Sequence, residues 1–169
     1  MTPLQKVAMG LVLTLADPDI RGYDAVPDVL GWVLVVLGLL GLKDRLALSG
    51  LMPLAVVAGV VSLGLIRFDW LEGLPESTGW LLSLPQLVFS LVLCGEVARL
   101  VGPSAAKRLR GLRWAFLVAA VGPVLLYGGG IDVLLIPLAV IAVAANVYLV
   151  YLLFRSSAEV HGPAPRPRN

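Results

Sequence analysis

Long apolar runs alternate with short polar gaps along this chain. Residues 46–66 and 133–154 contain no charged residue, and each reaches the roughly 20 residues that a helix needs to cross a hydrocarbon core of about 30 Å. The pattern predicts an all-α fold, a polytopic transmembrane helical bundle with six spans arranged as three hairpins. The spans are expected at about residues 3–16, 27–42, 46–66, 79–101, 114–130 and 131–154, and the proline-rich residues 156–169 are expected to form a disordered cytoplasmic tail.

The first apolar segment is open to two interpretations. Lys6, the apolar run behind it, and Thr14 and Ala16 before Asp17 also fit a secretory signal peptide that would be removed. The alternative is a short first span that stays in the mature protein. We favour the retained span, because it completes a hairpin that the sequence repeats.

Basic residues are concentrated in every second gap, which predicts an orientation. Eleven of the 13 Lys and Arg residues lie in one set of alternate gaps, and the other set holds Arg21, Arg67 and most of the acidic residues. Because Lys and Arg in short loops stay on the cytoplasmic side, both termini are expected in the cytoplasm. The same orientation places Trp32 and Trp80 near the outer interface. The eleven are Lys6, Lys43, Arg45, Arg99, Lys107, Arg108, Arg110, Arg113, Arg155, Arg166 and Arg168.

Composition narrows the class of protein further. The hydrophobic share is 59% and the charged share 14%, against about 25% charged residues in soluble domains. The lipid bilayer is therefore the expected partner, and the net charge of +2 gives no indication of nucleic acid. Richness in arginine, alanine and leucine suggests a bacterial source. The expected location of the protein is therefore the bacterial cytoplasmic membrane. Small residues such as Ala55 and Gly59, four apart, fit close helix packing and also a homo-oligomer.

A short motif occurs twice at the predicted outer side. In each copy a proline, an acid and two further residues precede Gly-Trp at the start of an apolar run. The 48-residue offset would superpose the first two spans on the third and fourth, as in a duplicated hairpin. The alternative is coincidence, because Pro-acid is a common helix start. The motif residues are Pro27, Asp28, Gly31 and Trp32 in one copy and Pro75, Glu76, Gly79 and Trp80 in the other.

The first copy also carries a resemblance. Residues 22–34, with Gly22, Asp24, Pro27 and Asp28 before Gly31-Trp32, resemble a Gly-x-Asp-x-x-Pro-Asp-x-x-Gly-aromatic signature of small uncharacterised bacterial multi-span membrane proteins. The match covers about a dozen residues near the N-terminus. The resemblance implies a class of membrane protein and no assigned activity.

Residues for enzyme chemistry are scarce. Cys94 is the only cysteine and His161 the only histidine, so neither a thiolate cluster nor a histidine-based zinc site or catalytic triad can be assembled in the bundle. The acidic turn at residues 17–22 has Arg21 where a calcium loop needs an oxygen ligand. We predict no catalytic residue, no metal and no cofactor, and we expect a protein that is not an enzyme.

Polar residues inside the spans are the remaining candidates for function. Ser83, Gln86 and Ser90 share one face of the fourth span beside Pro85, and Asn146 lies alone in the sixth. Such residues line a solute pathway or serve as hydrogen-bonding contacts between helices, and packing is the commoner role. Glu96 and Arg99 are spaced for an ion pair at the cytoplasmic end of the fourth span.

Two functions agree with these features. The first is a small transporter or permease-like protein that binds or passes a small solute between related hairpins. The second is a non-transporting membrane partner, an assembly or regulatory subunit of another membrane complex. No ionisable residue is predicted near the midplane of a span, which gives ion-coupled transport little support.

Overall fold

A computed structural model describes residues 1–16, 26–65 and 76–161, and these fold into six α-helices. A short 3-10 turn, Asp132–Leu134, precedes the last helix. The acidic turn with Arg21, the loop with Arg67 and Pro75, and the tail from residue 162 lie outside the described residues. The helices are α1 (Pro3–Ala16), α2 (Val26–Leu40), α3 (Leu48–Leu65), α4 (Glu76–Val97), α5 (Pro103–Gly129) and α6 (Leu135–His161).

The helical fold class predicted from the sequence is confirmed in its coarse form. Three segments are long and apolar enough to cross a membrane, namely Ser77–Val97, Pro103–Gly129 and Asp132–Ala158. The helices α1, α2 and α3 are apolar but shorter, with 14, 15 and 18 residues. At 1.5 Å per residue they measure about 21 to 27 Å, slightly less than a hydrocarbon core of about 30 Å.

The six helices pack as a closed ring in chain order. Each helix packs against the one before and the one after it, and α6 also packs against α1. At this closing contact the Gln5 side-chain amide donates a hydrogen bond of 3.3 Å to the Ser157 hydroxyl. Every helix contributes buried side chains to the interior, where the edge of Trp32 from α2 meets the ring of Phe89 from α4 at 5.3 Å between centroids.

Glycines bring α1 and α2 into the most extensive contact of the ring. A Cβ atom placed on Gly10 would lie 2.4 Å from the carbonyl oxygen of Gly31, and one on Gly38 would lie 2.8 Å from the carbonyl oxygen of Pro3. Any side chain at these positions would collide with the neighbouring backbone. Gly31 and Gly38 of α2 and Gly10 of α1 therefore let the backbones of the two helices approach closely.

Large apolar side chains cover the outside of the bundle, as lipid contact requires. They recur on one face of α2 and on the outer faces of the longer helices. The exposed surface of the bundle is therefore apolar over several helices. On α1, by contrast, no large apolar side chain is exposed, because the helix lies between α2 and α6. The exposed residues include Leu30, Val33, Leu37, Leu40, Val56, Val60, Val121, Leu125, Val140, Val143 and Val147.

Two helix boundaries differ from the sequence prediction. The fifth helix begins at Pro103 instead of residue 114, because Gly102 has extended backbone and a proline suits the first helical position. The basic segment predicted as a connector therefore forms the first turns of α5. Residues 156–161, assigned to the disordered tail, continue α6, where Ser156 and Ser157 are buried.

Candidate functional site

We call Ser83, Gln86 and Ser90 the polar strip. These residues lie on one face of α4, and the strip runs from half-buried positions into the core. Ser83 and Gln86 are half-buried, and Ser90 is fully buried. Cys94, also fully buried, continues the same face one turn further. Helical spacing of three and four residues aligns these side chains, as the sequence predicted.

The hydrogen bonds of the strip do not join α4 to another helix. The Ser83 hydroxyl donates to the carbonyl oxygen of Trp80 in the same helix, at 2.8 Å. Within the described part of the chain, the Gln86 side chain makes no hydrogen bond to another residue, and the buried Ser90 hydroxyl has no partner. Among the described residues, the strip therefore shows none of the side-chain hydrogen bonds between helices that such residues commonly make.

Asn146 of α6 likewise has a side-chain atom that lacks a hydrogen-bond partner among the described residues. Its amide nitrogen donates to the carbonyl oxygen of Ala142 one turn earlier, at 2.9 Å. Its side-chain oxygen is buried and finds no hydrogen-bond partner among the described residues. A buried polar atom without a partner costs about 1–3 kcal/mol, so the Ser90 and Asn146 side-chain oxygens are two unsatisfied positions within the described part of the bundle.

Pro85 interrupts the hydrogen-bonding of α4 beside the strip. The proline lies inside the helix and has no N–H to donate to the carbonyl oxygen of Leu81 four residues earlier. The helix nevertheless continues through Pro85 without a break.

The two copies of the entry motif begin helices, and their tryptophans make equivalent hydrogen bonds. Pro27 lies in the first turn of α2 and Glu76 is the first residue of α4. The indole N–H of Trp32 donates to the Ser62 hydroxyl of α3 at 3.1 Å, and that of Trp80 donates to the Ala120 carbonyl oxygen of α5 at 3.1 Å. In each copy the tryptophan thus ties its own helix to the next one along the chain.

The rest of the motif does not behave as a repeat. Gly31 lies against Gly10 and Thr14 of α1, whereas a Cβ atom on Gly79 would meet nothing within 4 Å. Trp32 is only 3% exposed, so it belongs to the core of the bundle. Trp80 is half-buried and lies 6.3 Å from the ring of Tyr127.

Charged residues form a second feature, at the far end of α4. The predicted pair is confirmed, with the Arg99 guanidinium 2.7 Å from the Glu96 carboxylate. Beside it two adjoining cavities of about 510 and 390 Å³ share Arg110 and Arg113 of α5 in their walls. We call them together the arginine groove. Its other lining residues are Gly95, Ala98, Arg99, Leu91, Trp114 and Leu117.

Sequence reasoning missed this groove. It read Arg110 and Arg113 only as signals of orientation, because it placed them in a connector ahead of the fifth span. The signal was present, since residues three apart in a helix share a face and Pro103 marks the helix start. Among the described residues, no cluster of three His, Cys, Asp or Glu side chains is suitable for a metal ion.

Comparison with known proteins adds no relative. No protein-family model, no curated protein and no solved structure matches this chain. The functional conclusion therefore depends on the helices, the polar strip and the arginine groove of the chain itself.

Proposed function

We propose that this chain is a permease-like integral protein of the bacterial cytoplasmic membrane, in which six spans bind or pass a small, uncharged, polar solute. The observation that carries the proposal is the polar strip, whose buried Ser90 and half-buried Gln86 lack hydrogen-bond partners within the described residues. Hydroxyl and amide groups donate and accept hydrogen bonds without a charge. They suit a neutral guest, because none of the three residues of the strip is ionisable.

All six helices are spans in this proposal, including the short α1. Leu4, Val7 and Leu11 of α1 are buried between its neighbours, which supports its retention over removal as a signal peptide. The ring order of the helices agrees with three hairpins, and the resemblance of residues 22–34 to small multi-span bacterial membrane proteins supports the same class. Short spans are accommodated by local thinning of the bilayer.

The proposed orientation places both termini and the start of α5 in the cytoplasm. We expect a membrane-impermeant maleimide to label Val133→Cys but not Ser104→Cys in right-side-out spheroplasts. Both positions are exposed, but Ser104 lies in the first turn of α5 and Val133 lies in the 3-10 turn that follows the other end of that helix. Both variants should be labelled after lysis. Unmodified protein is the control, since its only cysteine, Cys94, is fully buried. Labelling of Ser104→Cys before lysis would reverse the orientation.

Solute passage is tested by osmotic swelling of proteoliposomes in glycerol, urea or erythritol. We expect the unmodified protein to accelerate swelling in at least one solute and Gln86→Leu to abolish the acceleration, because leucine removes both donor and acceptor from the strip. Thr78→Val is the matched control, since it removes a polar group from the same helix about two turns before Gln86 and outside the strip. Unchanged swelling in Gln86→Leu, together with an altered oligomer or lower stability, would assign the strip to helix packing.

The second candidate function is a non-transporting membrane partner. It is favoured by a shallow apolar groove on the outer face of α6, lined by Val140, Val143, Val147, Tyr148 and Tyr151 among others, where the two tyrosine rings stack 6.0 Å apart. A photo-crosslinking residue at Val143 would capture one partner protein in stoichiometric yield if this function holds. Crosslinking to lipid alone would leave the permease-like function as the better supported one.

A further inference from the structure

We infer that the arginine groove binds the phosphate of an anionic phospholipid, with an acyl chain lying against its apolar wall. The inference is independent of the solute proposal, because it concerns a different surface of α4 and α5. Its basis is two adjacent guanidinium groups that have no counter-charge among the described residues, together with an apolar wall that continues toward the membrane.

The positive charge of the groove is not neutralised by the described residues. Glu96 is engaged with Arg99 at 2.7 Å, and neither Arg110 nor Arg113 forms an ion pair within the part of the chain that the structure describes. Both are exposed and one turn apart on α5. Two guanidinium forks at this spacing can bind the oxygens of one phosphate diester.

The groove lies at the level where both helices change from apolar to charged sequence. Arg113 is the last charged residue of α5 before the apolar run from residue 114 to 129, and Glu96 is the first charged residue of α4 after the apolar run from 77 to 95. Lipid phosphates occupy this level of a bilayer, and basic pockets between spans on the cytoplasmic side are suited to anionic headgroups.

The shape of the groove separates a headgroup part from a chain part. Gly95 and Ala98 form a floor without long side chains, and the Arg113 guanidinium lies 3.4 Å from the position of a Cβ atom on Gly95. On the membrane side the wall is Leu91, Trp114 and Leu117. Trp114 is 69% exposed, so its indole is available to pack along an acyl chain. A free phosphate ion would leave this apolar wall unused, which is why we assign a lipid.

The test is native mass spectrometry of the full-length protein in detergent with added phosphatidylglycerol, compared with phosphatidylcholine of the same acyl chains. We expect Arg110→Gln/Arg113→Gln to weaken phosphatidylglycerol binding roughly 10- to 30-fold, because each removes a basic contact to the headgroup. The matched control is Lys107→Gln/Arg108→Gln, which removes two charges from the same helix outside the groove and should change binding less than about threefold.

A second variant keeps every charge and changes the shape. Gly95→Leu places a side chain under Arg113, and we expect it to weaken phosphatidylglycerol binding about tenfold by filling the floor of the groove. The inference is overturned if both double variants lose binding equally, since the effect would then be general attraction. It is also overturned if phosphatidylcholine binds as well as phosphatidylglycerol, if Gly95→Leu binds normally, or if glycerol phosphate displaces phosphatidylglycerol at equal concentration.

Discussion

Replacing Trp32 by alanine is expected to lower the free energy of unfolding of the bundle by about 3 kcal/mol. The indole is 3% exposed, packs edge-on against Phe89 and donates a hydrogen bond to Ser62. In a bilayer the loss comes from packing and hydrogen bonding, because lipid is as apolar as the core and no hydrophobic transfer is lost. The measurement is unfolding of the detergent-solubilised protein by added dodecyl sulfate, followed by circular dichroism.

Trp114→Ala is the control of identical chemistry. Trp114 is 69% exposed and has no ring contact with another described aromatic residue, so the change should alter the free energy of unfolding by less than about 0.5 kcal/mol. Ser62→Ala then isolates the hydrogen bond, with an expected loss of about 1 kcal/mol. Equal losses for the two tryptophans would contradict the placement of Trp32 at the centre of the ring.

Replacing Gly10 by alanine is expected to separate α1 from α2 and to cost about 3 kcal/mol or more, at the upper end of overpacking effects. The new Cβ atom would lie 2.4 Å from the Gly31 carbonyl oxygen and 2.9 Å from the Val35 nitrogen. These are backbone atoms, so no rotamer change in a neighbour can relieve the collision. The unfolding measurement is the same, supplemented by proteolysis of the α1 segment in the folded protein.

Gly111→Ala is the matched control, because it makes the same chemical change where a Cβ atom would meet nothing within 4 Å. Gly111 is exposed in the interior of α5, and alanine there should stabilise the helix by up to about 1 kcal/mol. The two substitutions should therefore have opposite signs. A stable Gly10→Ala variant would mean that α1 and α2 do not pack at the distance described.

The starts and ends of helices show where the sequence was informative and where it was not. Hydropathy located the apolar segments. Gly102-Pro103 is a helix-start signal, but the basic residues that follow it were interpreted as a connector. The end of α5 was predicted at the triple glycine. The helix ends at Gly129 and is followed by Gly130, whose φ of 65° and ψ of 31° are left-handed. Hydropathy alone does not locate a helix boundary, because the boundary also depends on backbone geometry.

The candidate sites, like the helix boundaries, could be predicted from the sequence only in part. The sequence predicted that Ser83, Gln86 and Ser90 share a face, since that follows from helical spacing alone. It could not show whether a neighbouring helix offers a partner to their polar atoms, because that depends on how the helices pack. The arginine groove likewise needs α4 beside α5. Gly95 and Arg113 lie on different helices, and no local sequence pattern predicts that the Arg113 guanidinium lies over Gly95.

By itself the sequence determined that the chain is helical, apolar enough for a membrane and charged in alternating gaps, because hydropathy and charge are summed along the chain without reference to neighbours. Only the tertiary structure decided that the helices close into a ring, that Gly10 and Gly31 meet and that Trp32 is buried while Trp80 is only half-buried. The physical reason is that lipid supplies no hydrophobic force between helices. Their arrangement depends on close packing and hydrogen bonds, which exist only between side chains brought together in space.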